Sequence, residues 1–263
     1  VLQNLVDQKF PVNDDMKEDA ATIIKQIKSA YKSNYGDNYK DSLNQALTSA
    51  GYKNLSEYRQ KMIKQIQYAN FLLDYIDDHF DDVFNDYYQQ CAPKYVSLIK
   101  ISVSDTSSPT DDETSKLNEV KELISNTDKS FGDIAQDYSN DSTSSKKGSL
   151  GIVDSKDTSG IANSYGKDVF NAIEALSEGQ VSDVITGDNG YYFVKVTSTD
   201  KKTLKKELKK TDIDSPLLAY DDYLQYVVYN SYKINYKDKD IKKIVQEVVN
   251  KALEERKTER GEA

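Results

Sequence analysis

Through the first 93 residues the apolar positions recur three and four apart, the repeat of one helix face. Val1, Leu2, Leu5, Val6 and Phe10 predict a first short helix. Asn13 is placed to cap a second, with Asp14, Asp15, Glu18 and Asp19 at its positive end. That helix would bury Met16, Ala20, Ile23, Ile24, Ile27 and Tyr31 and stop at Gly36. A short helix over 41–51 ends at Gly51, and Asn54 with Glu57 reads as a capping box for the next. Its apolar line runs Tyr58, Met62, Ile63, Ile66, Ala69, Leu72, Leu73 and Ile76; a further helical turn over 80–90 leads to Pro93.

After Pro93 the period becomes two. Val96, Leu98 and Lys100 fall on one face of a strand, with Ser97, Ile99 and Ile101 on the other. A loop at 107–113, a helix over 116–124 and a Ser130-capped helix follow. Next come a Ser-rich loop, a glycine-flanked strand near 148–151, a helix from 169, and a hairpin whose turn is GDNG (187–190). Residues 197–210 read as a charged connector, and 215–236 and 240–257 as two closing helices. The last carries Ile241, Ile244, Val245, Val248, Val249 and Leu253 on its apolar side. The expected fold is α+β: a discontinuous helical domain (1–93 and 200–263) built from both chain ends. An α/β module (94–199), an antiparallel sheet with surrounding helices, is inserted into it.

Charge narrows the partners. Asp+Glu 44 against Lys+Arg 35 gives −9, with no basic stripe, which argues against nucleic acid. A single cysteine, Cys91, excludes an intrachain disulfide. No run of about 18 apolar residues offers a membrane span. The start at Val1 is expected to follow removal of a leader or trimming. His79, the single histidine, lies among Asp77, Asp78, Asp81 and Asp82 and reads as a solvated helix end; no metal and no cofactor are expected.

Three phrases carry a family resemblance: KYVSLIKISVS (94–104), SFGDIAQDYSNDSTSSKKGSLG (130–151) and VFNAIEALSEGQVSDVITGDNGYYFVKV (169–196). They resemble the parvulin family of peptidyl-prolyl isomerases. With GYKNLSEYRQKMIKQIQ (51–67) and FNDYYQQCAPKYV (84–96), the whole chain resembles the PrsA-like extracellular lipoprotein foldases of Gram-positive bacteria and, more distantly, the SurA-like periplasmic chaperones. The resemblance implies an extracellular location on the outer face of the cell membrane, held by a lipid-modified Cys that this chain lacks, Cys91 being too deep to serve. It implies unfolded or partly folded exported proteins as partners, and a homodimer is compatible with it.

The chemistry such a module performs needs no nucleophile or metal. Rotation about X–Pro faces a barrier of about 18–20 kcal/mol. Lowering it takes an apolar socket for the ring and hydrogen bonds poised for the twisted amide. By the resemblance two family histidines fall on Ser97 and Tyr192, and the loop acid on Asp141, so a Ser97–Tyr192 hydrogen bond would stand in for the imidazole pair. The socket maps onto Leu150, Tyr165, Val169 and Phe170, and Glu174 falls where a bulky aromatic is common. A tyrosine does not titrate near neutrality as imidazole does. Three functions follow as expectations: an exported folding factor with a module of little or no turnover, a working isomerase using Ser97, Asp141 and Tyr192, or a surface scaffold protein for one fixed partner.

Overall fold

A computed structural model describes residues 2–126, 128–208 and 214–262 of the chain. They divide between two compact units, one of Val1–His79 with Thr211–Ala263 and the other of Phe80–Lys210.

The helical unit opens with α1 (Leu2–Lys9), α2 (Asp14–Tyr35), α3 (Tyr39–Ser49) and α4 (Leu55–Asp78). The predicted caps are in place. Met16 N donates to Asn13 Oδ1 at 3.0 Å, Glu57 N to Asn54 Oδ1 at 2.9 Å, and Lys53 N to Glu57 Oε2 at 2.8 Å. Met16, Ala20 and Ile24 of α2 meet Met62, Ile63 and Ile66 of α4 in one buried cluster, so the 3.6-residue period did decide which faces pack.

The second unit begins with α5 (Phe80–Cys91) and β1 (Lys94–Ser102). It continues through α6 (Asp111–Asn126), α7 (Phe131–Tyr138), β2 (Ser149–Val153), α8 (Ile161–Tyr165), α9 (Lys167–Ala175), β3 (Ile185–Gly187), β4 (Gly190–Ser198) and α10 (Lys201–Leu208). The strands form one antiparallel sheet in the order β2-β1-β4-β3. The predicted hairpin is there: Gly187 pairs with Gly190 across Asp188 and Asn189. Period-two alternation splits β1 between two cores. Val96 and Leu98 pack with Val169, Ile173, Tyr192 and Val194 on one face; Ile99 and Ile101 pack with Leu117, Val120, Phe131, Ile134 and Phe193 on the other. Asp154 is buried among donors: Tyr87 Oη gives it a bond at 2.8 Å, and Thr158 Oγ1 and Lys156 N also donate. The reading of 197–210 as a connector is corrected over 201–208, where α10 buries Leu204 and Leu208; the rest of that reading from 209 on lies outside the described residues.

The chain returns to the helical unit with α11 (Leu224–Ser231) and α12 (Lys239–Glu259). The single helix expected over 215–236 is instead a 3-10 turn at Pro216–Leu218, a break, and the eight residues of α11. The break has a cause. Asp221, almost wholly buried, accepts from Tyr223 N at 3.0 Å and from Arg256 Nε and Arg260 Nη2 at 2.8 and 2.9 Å. That turn fastens the end of α12 beneath it, an arrangement helix propensity does not foresee.

Candidate functional site

A cavity of about 660 Å³ opens on the face of the sheet that carries Leu98 and Val194. Three segments shape it. The chain leaving α7 is pinned to β1: Lys100 N donates to Ser139 Oγ at 3.0 Å, Asn140 N to Lys100 O at 2.8 Å, and Ser102 N to Asn140 Oδ1 at 3.0 Å. This carries Asp141 to the cavity wall. Asp157, with φ of 53°, caps α8 by accepting from Ile161 N and Ala162 N at 2.6 and 2.9 Å, and so sets the helix that ends in Tyr165. At the far end of α9, Lys94 Nζ donates to three carbonyls, Ile173 O, Glu174 O and Leu176 O, at 2.9, 2.6 and 3.0 Å. α9 supplies the buried Val169 to the wall.

Four of the sequence-derived residues meet here: Asp141, Tyr165, Val169 and Tyr192 all line the cavity. Tyr165 and Tyr192 stand edge to face, their centroids 6.3 Å apart, an arrangement favoured by the ring quadrupoles. Tyr165 Oη donates to Asp141 Oδ1 at 3.4 Å. Burial first, and then the charge of Asp141, push the Tyr165 phenol up to about 12. It therefore remains a donor throughout the physiological range. Asp141 Oδ1 also accepts from Thr143 N and Oγ1 at 2.9 and 2.7 Å, so the acid is at once a turn former and a wall of the cavity. Leu150 and Phe170 are half-buried against the apolar cluster behind the cavity without lining it.

Ser97 is not brought to this site. It is paired with Lys195 and alternates with Ile99 and Ile101, on the sheet face opposite Tyr192. The expected Ser97–Tyr192 bond is therefore replaced: Tyr192 Oη donates to Asn189 Oδ1 at 2.8 Å. The residue across from Tyr192 is Lys100, whose Nζ lies 5.6 Å from the ring centroid. Ser97 stands three positions before Lys100, and an odd offset in a strand is a change of face. Lys100 and Asn189 were missed as site residues, although the two-residue period had put Lys100 beside Leu98. Glu174 does not line the cavity; its Oε1 is buried with no hydrogen-bond partner among the described residues. His79 belongs to the helical unit, where it is exposed and stacks on Tyr75 at 4.2 Å. The described residues hold no cluster of His, Cys, Asp or Glu suited to a metal, and no helix among them is long and apolar enough to cross a membrane.

Residues 98–198 match the profile of the PPIC-type PPIase domain, the rotamase family. That stretch, with its four-stranded sheet and flanking helices, is a parvulin-type domain. The chain is 32% identical over 141 residues to the foldase protein PrsA of Staphylococcus epidermidis, and equally to that of Staphylococcus aureus. Each match covers 51% of this chain and 41% of the relative, so the chain spans about two fifths of the length of the curated relatives it matches. The similarity to PrsA foldases thus covers about half of this chain, and the family profile covers its parvulin-type domain. Among solved structures, PrsA from Streptococcus pneumoniae aligns over 94% of this chain and 86% of its own, at 19% identity and a TM-score of 0.45.

Proposed function

We propose that the chain is an extracellular folding factor that holds unfolded exported polypeptides, with a parvulin-type cavity that binds proline-containing segments and turns them over slowly or not at all. The observation that supports this reading is a cavity lined by Tyr165 and Val169 of the four expected socket residues, together with Tyr192, and by no imidazole. Val169, Tyr165 and Tyr192 offer an apolar, aromatic wall, and Asp141 stays in place. The two polar positions across the strands are a lysine and a tyrosine bonded to Asn189. Around these side chains the lining is largely polar, with Lys100, Asn163, Lys167, Asp168 and Asp188 in it, so the cavity suits a peptide whose backbone meets polar groups while an apolar ring meets the aromatic pair. The helical unit, built from both ends of the chain, is the proposed cradle for clients, and a lipid anchor outside this chain the proposed tether to the outer face of the membrane.

A second reading, a working isomerase, is favoured by one contact, the Tyr165 hydroxyl on Asp141, which sets a phenolic donor at the socket. One pair of measurements separates the readings: cis/trans exchange on Xaa-Pro peptides by NMR, run beside aggregation of a chemically unfolded client. The folding-factor reading expects suppressed aggregation with exchange near the uncatalysed rate. Strong acceleration, abolished in Asp141→Ala and Tyr165→Phe, would replace it with the second reading. Affinity for one native protein and none for unfolded chains would replace both with a scaffold.

A further inference from the structure

The seam between α2 and α4 opens into a groove of about 490 Å³. Its floor is apolar: Ile24 is buried there, Leu55 half-buried and Ala21 exposed. Its rim is cationic. Lys25, Lys28 and Arg59 stand exposed along it, and Arg59 Nη2 reaches from α4 to donate to Lys17 O of α2 at 3.4 Å. Among the described residues no carboxylate lines the groove, and Lys25, Lys28 and Arg59 enter no ion pair. That sets them apart, because Lys17, Lys64, Lys147 and Lys205 each hold an aspartate at 2.8 Å. From Ala20 to Tyr35, α2 carries Lys25, Lys28 and Lys32 and no acid, in a chain whose formal charge is −9. The patch is assembled by packing: α4 adds Arg59 to the lysines of α2, so no run of basic residues announces it in the sequence.

We infer that this groove takes an extended peptide segment in which acidic and apolar residues alternate, its apolar side chains on the floor and its carboxylates at the rim. The inference rests on the reading of the helical unit as a cradle for clients and names the kind of client segment that one part of it receives. Charge complementarity sets the sign of the partner: cations without counter-ions over an apolar floor match a ligand that is both anionic and apolar. Alternation follows from the geometry of an extended chain, whose successive side chains point to opposite faces. It is also the pattern of a half-buried strand, which a polypeptide exposes before it folds. The volume falls within the roughly 300–1,000 Å³ of ligand pockets. An anionic bilayer would meet the three cations, but its flat surface would not enter the trough that Ile24 floors, whereas a single extended chain lies along it. Because the cations are exposed, the attraction is modest and screened by salt.

Fluorescence anisotropy of the whole chain at low salt tests this, with a labelled peptide of alternating Glu and Leu about eight residues long. Away from the groove a chain of this net charge repels such a peptide, so binding reports on the groove. Expected is saturable binding that Lys25→Glu with Lys28→Glu weakens about tenfold. Ala21→Glu, which sets a carboxylate on the floor, weakens it as well, and a matched peptide of alternating Glu and Gly binds about tenfold less tightly. The three substituted positions are exposed, and circular dichroism checks that each variant keeps its fold. No binding overturns the inference, as does binding indifferent to the lysine reversals or equal affinity for the Gly peptide. So does a chain that takes up phosphatidylglycerol vesicles through these lysines and no peptide. Aggregation of a chemically unfolded client, measured separately, reads the folding-factor proposal. Client protection without peptide binding removes the groove and leaves that reading; peptide binding without protection removes that reading and leaves the groove as a peptide site.

Discussion

Lys94→Met tests whether the socket is held by a single side chain at the start of β1. Methionine keeps most of the stem's volume and removes the ammonium, whose three donors reach Ile173 O, Glu174 O and Leu176 O. A hydrogen bond from a charged donor contributes about 1.5–3 kcal/mol when its acceptor has no substitute. Carbonyls at a helix end recover part of this from water, and the lost cation at the helix C-terminus adds about 0.3–1 kcal/mol. The net expectation is about 2 kcal/mol lost from the docking of α9, equivalent to about thirtyfold in a local opening equilibrium. Native-state hydrogen exchange reads this directly. Amides of 170–175 should lose about thirtyfold in protection while those of β1 and β4 change little. Because α9 carries Val169, binding of proline peptides should weaken as well. Unchanged protection across α9 would mean that packing of Val169 and Ile173 alone fixes the helix, and the argument for Lys94 would fail.

Other expectations are more direct. Gly148→Ala should cost about 3 kcal/mol or more by hydrogen exchange of the sheet: the residue has φ of +74°, and an added Cβ would meet Leu98 O at 2.4 Å and Ala135 Cβ at 2.8 Å. Tyr165→Phe should weaken proline-peptide binding about three- to tenfold by NMR titration, whereas Ser97→Ala should leave it within twofold; the reverse ranking would contradict the placement of the site. Peptide affinity should show no inflection near pH 6.5, because no imidazole lines the cavity. The raised phenol of Tyr165 works at the alkaline end. A group whose folded pKa lies above its unfolded value near 10 contributes stability that is fully present below pH 10 and is lost as pH rises toward about 12. Stability of the sheet unit should therefore fall between those limits, and Tyr165→Phe should flatten that fall.

Local signals were the legible ones. The caps at Asn13, Asn54 and Ser130 form the predicted bonds, because a cap is settled within three residues of chain. The hairpin turn and the two-faced alternation of β1 were readable for the same reason. Asp141, Val169 and Tyr192 could be named because each lies within a contiguous family phrase, and Tyr165 because it falls four residues before the last of them. What sequence did not disclose was decided at a distance. Whether Ser97 or Lys100 faces Tyr192 depends on cross-strand register over about ninety residues of chain, and a mismatch of one residue inverts the answer. The break before α11 depends on Asp221 meeting arginines 35 and 39 positions later.

The carboxylate of Asp154 has a practical bearing on how the parvulin-type region is cut out for study. Its donors are not confined to the stretch that the family profile covers. Tyr87 of α5 supplies one of them, Cys91 O accepts from the neighbouring Ser155 N at 2.9 Å, and Tyr88 Oη reaches Thr199 O at 3.0 Å. A fragment beginning at residue 94 would leave the buried Asp154 carboxyl without its Tyr87 hydrogen bond, a loss of about 1–3 kcal/mol in a small domain. An excised version should start at Phe80 and run through α10; clipped shorter, it would report on a damaged protein rather than on an inactive one.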